Sequence, residues 1–188
     1  MTLQFLMFSL LVFCYSITFA LAEETNFVRS LDRNELGHNK KEEVTHIKVY
    51  FQETFREPNI TSFRIVPAVP QYSASTYFGS MVVIDAPLTA GPEPSSRVVG
   101  KAEGTVTFTS RREWSLLESL TFVFTQGKFN GSSITLFGRN PISQQVREVP
   151  VVGGTAKFRL ARGYALTKTL FLDEQVGSTV QFDFYVSH

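Results

Sequence analysis

Four polar side chains stand where strand-like alternation calls for apolar ones: Glu53, Asn140, Arg147 and Arg162. Residues 46–55 place Ile47, Val49, Phe51, Glu53 and Phe55 on one face, with Lys48, Tyr50, Gln52 and Thr54 on the other. A carboxylate on such a face is expensive to ionise, so Glu53 must pair with an arginine or hold its proton more tightly than usual. The first outcome is a structural Glu53–arginine salt bridge. The second is a general acid, or hydrogen-bond donor, inside a ligand cavity. Arg147, Arg159 and Arg162 lie in otherwise apolar sequence around Gly153-Gly154, and each needs a partner or a route to water.

Other chemistries find no support. Nucleophilic triads are disfavoured, because there is no G-x-S-x-G turn and the single cysteine, Cys14, sits in the N-terminal apolar run. Gly153-Gly154-Thr155 lacks the Lys-[Ser/Thr] of a phosphate loop and reads as a tight turn. His38, His46 and His188 are not spaced as metal ligands, so no metal and no cofactor are expected. Charges nearly balance, 18 basic against 17 acidic, without a basic stripe, which argues against nucleic acid.

The elements that must position these residues follow from the hydropathy pattern. Residues 1–22 carry an uncharged apolar run ending in Ala20-Leu21-Ala22, the form of a cleaved secretory signal peptide. The expectation is an extracellular protein with no membrane attachment after cleavage. Residues 23–44 are polar and read as a flexible tail, leaving 45–188 as one domain without disulfides. Strand patterns fall at 46–55, 62–66, 77–85, 98–109, 114–125, 133–138, 146–152, 156–169 and 179–187; the start of 114–125 also fits a helical turn. Gly100, Ala102 and Gly104 share one face of the fourth strand and permit sharp coiling. Asn130-Gly131 marks a hairpin. Asn59-Ile-Thr and Asn130-Gly-Ser are N-glycosylation sequons at expected turns. Eight or nine antiparallel strands favour a closed barrel, which removes exposed edges and can hold one small ligand; a two-sheet sandwich is the alternative.

Several stretches together resemble the plant dirigent family. They are Val82-Val-Ile-Asp85 with Pro87-Leu-Thr, Gly91-Pro-Glu-Pro-Ser-Ser, Gly100-Lys-Ala-Glu-Gly104, Gly138-Arg-Asn-Pro, Val146-Arg-Glu, Val151-Val-Gly-Gly-Thr and Ala161-Arg-Gly-Tyr-Ala165. The resemblance covers 45–188 in order. It implies an all-β fold, an eight-stranded antiparallel barrel of the dirigent and allene-oxide-cyclase-like type. It also implies secretion to the apoplast and assembly into a homo-dimer or trimer.

The activity implied is stereocontrol of phenoxy-radical coupling of monolignols such as coniferyl alcohol to lignans, with the radicals supplied by a separate laccase or peroxidase. Some relatives instead act on a quinone-methide-type (iso)flavonoid precursor, with pocket acids assisting cyclisation or water loss. A non-catalytic cell-wall or defence role is a third possibility. Matched by position, the family's first-strand pocket acid falls on Glu53 and its pocket arginine on Arg147, the candidate catalytic pair. The second pocket acid of lignan-forming members falls on Asn140, and their two fourth-strand tyrosines fall on Val106 and Phe108. With Phe51, these three are the candidate substrate-binding residues, in a pocket expected to hold a single acid. Asn59 and Asn130 are the candidate glycosylation sites.

Overall fold

The computed structural model describes residues 43–188. The signal peptide expected at 1–22 lies outside the described residues, as does the tail expected at 23–44 except for its last two residues. The described residues form nine strands: β1 (Val44–Thr54), β2 (Ser62–Val66), β3 (Met81–Thr89), β4 (Val98–Phe108), β5 (Leu116–Phe124), β6 (Ser133–Asn140), β7 (Arg147–Thr155), β8 (Arg162–Asp173) and β9 (Gly177–Ser187). Each is antiparallel to its neighbours in the order β1-β9-β8-β7-β6-β5-β4-β3-β2, and β1 also pairs with β3. That last pairing closes an eight-membered ring.

The strand count resolves at the seam. Both β1 and β2 run antiparallel to β3, with Phe51 opposite Leu88 and Ser62 opposite Ile84. β2 therefore continues β1 along one edge of β3 after the excursion of residues 55–61. Thr61 ties the junction: its N–H donates to the Thr54 carbonyl, and its own carbonyl accepts from Asp85 N–H. Sequence pattern ended β3 at Asp85 because of Pro87, yet the strand runs on to Thr89. Pro87 lies two residues beyond Asp85, so its missing N–H faces the same edge, in the gap between β2 and β1.

A second correction concerns Gly153-Gly154, which belong to β7 and make no turn. Thr135 faces Gly153 while Leu136 faces Val151, leaving Val152 as a bulge. The reversal comes after it, at the 3-10 turn Ala156–Phe158, and β8 starts at Arg162 rather than in the 150s. Gly154 is glycine for reasons of space: a Cβ there would collide with the Ser133 carbonyl and come within 2.6 Å of Phe158 Cβ.

Alternation sends one face of each strand inward. On β5, Leu116, Glu118, Leu120, Phe122 and Phe124 are all buried. Phe122 packs against Phe182 and Phe184 with centroids 4.8 and 4.9 Å apart, forming the middle of the core. One end of the barrel is plugged by aromatic rings. Phe158 meets Phe129 at 4.7 Å and His188 at 4.8 Å, above Phe124 at 5.9 Å. The other end, where β1 and β5 respectively finish and begin, stays open.

Candidate functional site

The open end holds a cavity of about 390 Å³ walled by Phe51, Val82, Ile84, Val106, Leu120, Val180 and Phe182 and rimmed by Phe108 and Trp114. Set into this apolar lining are Glu53, Glu118, Asn140 and Arg147. Every residue expected to touch substrate, namely Phe51, Val106, Phe108 and Asn140, faces this cavity. Arg162 does not line it, while Asn59 and Asn130 are exposed in connections.

Glu53 does not pair with arginine. Its two oxygens accept from serine hydroxyls, Ser62 Oγ at 2.6 Å and Ser178 Oγ at 2.5 Å. Ser178 is its cross-strand partner on β9, and Ser62 opens β2, so the β1–β2 excursion brings the second hydroxyl within reach. Burial pushes the Glu53 carboxyl above its ordinary range, against the pull of both hydroxyls. Of the two outcomes open for Glu53, the salt bridge to an arginine is thus replaced by neutral donors, which stabilise the carboxylate less than a cation does, while Glu53 and Arg147 line the same cavity.

Arg147 faces Asn140 instead. Its Nε donates to Asn140 Oδ1 at 3.1 Å and its Nη2 to Thr169 Oγ1 at 3.1 Å. Asn140 Nδ2 then donates to Glu118 Oε2 at 2.7 Å. Arginine can only donate, so the asparagine must turn its carbonyl to Arg147 and its amide to Glu118. Glu118 Oε2 is therefore an acceptor, and the proton of a neutral Glu118 belongs on Oε1. Arg147 Nη1 has no partner among the described residues.

Glu118 is a second acid buried in this cavity, with Glu174 a third at its mouth, and the expectation of a single carboxyl is corrected. Burial drives its pKa up to about 7, the Asn140 bond and the Arg147 charge draw it down, and the Glu53 charge raises it further. Burial in turn lowers the Arg147 pKa, offset by the Glu118 charge. Two carboxyls that disfavour each other's ionisation, one poised near neutrality, suit proton donation to a bound molecule. The signal for Glu118 was its place in Leu116-x-Glu118-x-Leu120-x-Phe122, visible only once residues 114–119 are read as strand.

Among the described residues no three His, Cys, Asp or Glu side chains cluster as metal ligands. No helix among them is long and apolar enough to cross a membrane.

A closed eight-stranded antiparallel barrel with an apolar, acid-bearing cavity is a small-ligand barrel. The sequence profile of the family described as Dirigent-like protein matches residues 44–187, and the chain belongs to the dirigent family. Dirigent protein 11 of Arabidopsis thaliana is 40% identical over 150 residues, covering 80% of this chain and 77% of that protein. Pterocarpan synthase 1 of Glycine max is 39% identical over 175 residues, covering 92% and 93%. The solved pterocarpan synthase dirigent protein GePTS1 superposes with a TM-score of 0.73 at 38% identity, covering 86% of this chain and 98% of that one.

Proposed function

We propose that the barrel is a cofactor-free cyclase or dehydratase acting on a phenolic (iso)flavonoid alcohol through a quinone-methide-type intermediate. The observation that carries this reading is the relay Arg147–Asn140–Glu118, which leaves Glu118 Oε1 as the proton-bearing atom at a pKa of about 7 in an apolar cavity. Glu118 gives its proton to the benzylic hydroxyl of the substrate, the C–O bond breaks and water leaves. The conjugated phenol passes its proton to the Glu118 carboxylate and becomes the quinone methide. A second phenol of the same molecule adds its oxygen to the benzylic carbon, and the proton it releases restores the first phenol. The net change is loss of one water and formation of one ring ether. The Arg147 guanidinium, a cation on the cavity lining, stabilises the phenolic oxygen as charge develops on it. Similarity to pterocarpan synthases over most of the chain supports the same reading. The test is turnover of an isoflavan alcohol whose dehydration closes a pterocarpan ring, with wild type against Glu118→Gln and Glu53→Gln. Loss of roughly 100-fold or more in Glu118→Gln supports the proposal; unchanged turnover contradicts it.

A second reading, stereocontrol of phenoxy-radical coupling, is favoured by the apolar wall of Phe51, Val106, Phe108 and Trp114, which can hold two flat rings in a fixed relation. It requires that coniferyl alcohol, oxidised by an external laccase, give an excess of one lignan enantiomer when the protein is present. A racemic product removes it.

A further inference from the structure

Between β2 and β3, one side chain is held at the cavity mouth by four different contacts. Tyr77 has a φ of +54°, a left-handed conformation strained for a non-glycine residue. Its hydroxyl donates to Glu174 Oε2 at 3.2 Å, in the turn between β8 and β9. The Arg64 guanidinium sits 4.7 Å from the centre of its ring. Phe108 and Trp114 meet the ring at an angle, each with centroids 5.6 Å away. All five residues line the cavity.

The backbone around Tyr77 is built as a unit separate from the barrel. Val69 N–H donates to the Phe78 carbonyl, closing the segment on itself, and Tyr77 N–H donates to the Tyr72 carbonyl inside it. Among the described residues, its main-chain bonds to the barrel are confined to Gly79 and Ser80, which pair with Phe108. Elsewhere side chains hold it down, including Trp114 Nε1, which donates to the Ser75 carbonyl. The closed arrangement also leaves Thr76 Oγ1 and Ser80 Oγ buried without partners among the described residues, which lowers the cost of leaving it.

We propose that residues 69–78 are a flap at one side of the open cavity mouth, latched by Tyr77 between Arg64 and Glu174, and that this latch releases to widen the mouth for an aromatic ligand. A strained backbone held by side chains, closed on itself and hinged at Gly79–Ser80, is an element with two accessible arrangements. The latch holds whatever reaction the cavity carries out.

The test needs no ligand. Trp114 is the single tryptophan of the chain, so its fluorescence reads the mouth directly. Amide hydrogen exchange across 69–78 and acrylamide quenching of Trp114 are measured in wild type, Tyr77→Phe and Glu174→Gln. The expected result is exchange faster by roughly three- to tenfold within 69–78 in both variants, unchanged exchange at Phe122 and Phe184, and stronger quenching. A Tyr185→Phe control, on a strand away from the mouth, leaves all three as in wild type. Exchange unchanged in both variants overturns the proposal. So does exchange within 69–78 that tracks the barrel core, or faster exchange without added quenching, which would describe a loose loop that gates nothing.

Discussion

Glu118 contributes one distinct part of the pH dependence of stability, beside the raised Glu53 and the lowered Asp183. With its pKa lifted from 4.5 to about 7 in the folded state, the neutral carboxyl contributes stability that is fully present below pH 4.5 and lost as pH rises through about 7. The loss is about 3 kcal/mol at most, and Glu118→Gln removes most of that slope from denaturation curves taken across this window. A slope unchanged in the variant would show that Glu118 ionises normally. Arg147→Met takes away the cation that draws the Glu118 pKa down, so the carboxyl should titrate at higher pH, followed by carbon-13 NMR of the carboxyl. Sequence pattern singled out Glu53, Asn140 and Arg147, because each interrupts an apolar face. It left open whether Glu53 meets an arginine. Alternation tells which side chains point inward but not what crosses the cavity, and Ser62 and Ser178, ordinary residues in sequence, claim Glu53. Glu118 stayed hidden because Trp114-Ser-Leu-Leu-Glu-Ser also fits a helical turn, which leaves its facing undefined.

Among the elements, β4 shows how the wall is shaped. Gly104 has a φ of +148°, and a Cβ there would collide with the Ser119 carbonyl of β5. Gly104→Ala is expected to cost about 2–4 kcal/mol, read as a lower urea midpoint, by forcing the two strands apart beside Val106 and Glu118. A variant as stable as wild type would mean that the strands separate freely there. The period-two signal located β9 and the body of β1 because every inward position there is apolar or singular. It misplaced the end of β3 and the start of β8. Pro87 and Gly153-Gly154 carry turn signals locally, but the neighbouring strands supply a gap for one and a bulge for the other. Those reasons are tertiary, so no local reading recovers them.

At the scale of the molecule, the barrel is plugged at one end and open at the other, and the two ends have separable roles. Phe158, fully buried in the plug, lies at the end away from the carboxyls. Phe158→Ala should lower stability by about 3–5 kcal/mol while leaving the pH dependence of turnover as in wild type. A shift in that pH dependence would show that the ends are coupled. Closure into a barrel was legible from strand number and the need to remove edges, whereas the open end followed only from the finished topology. That open end brings Glu53, Glu118, Asn140 and Arg147 into one apolar cavity, and the central claim is that Glu118 donates a proton there. The most direct measurement is the pH profile of ring closure on the isoflavan alcohol, for wild type and Glu118→Gln together. Wild-type activity should decline as pH rises through about 7, and the residual activity of the variant should lack that decline. The same decline in Glu118→Gln would contradict it.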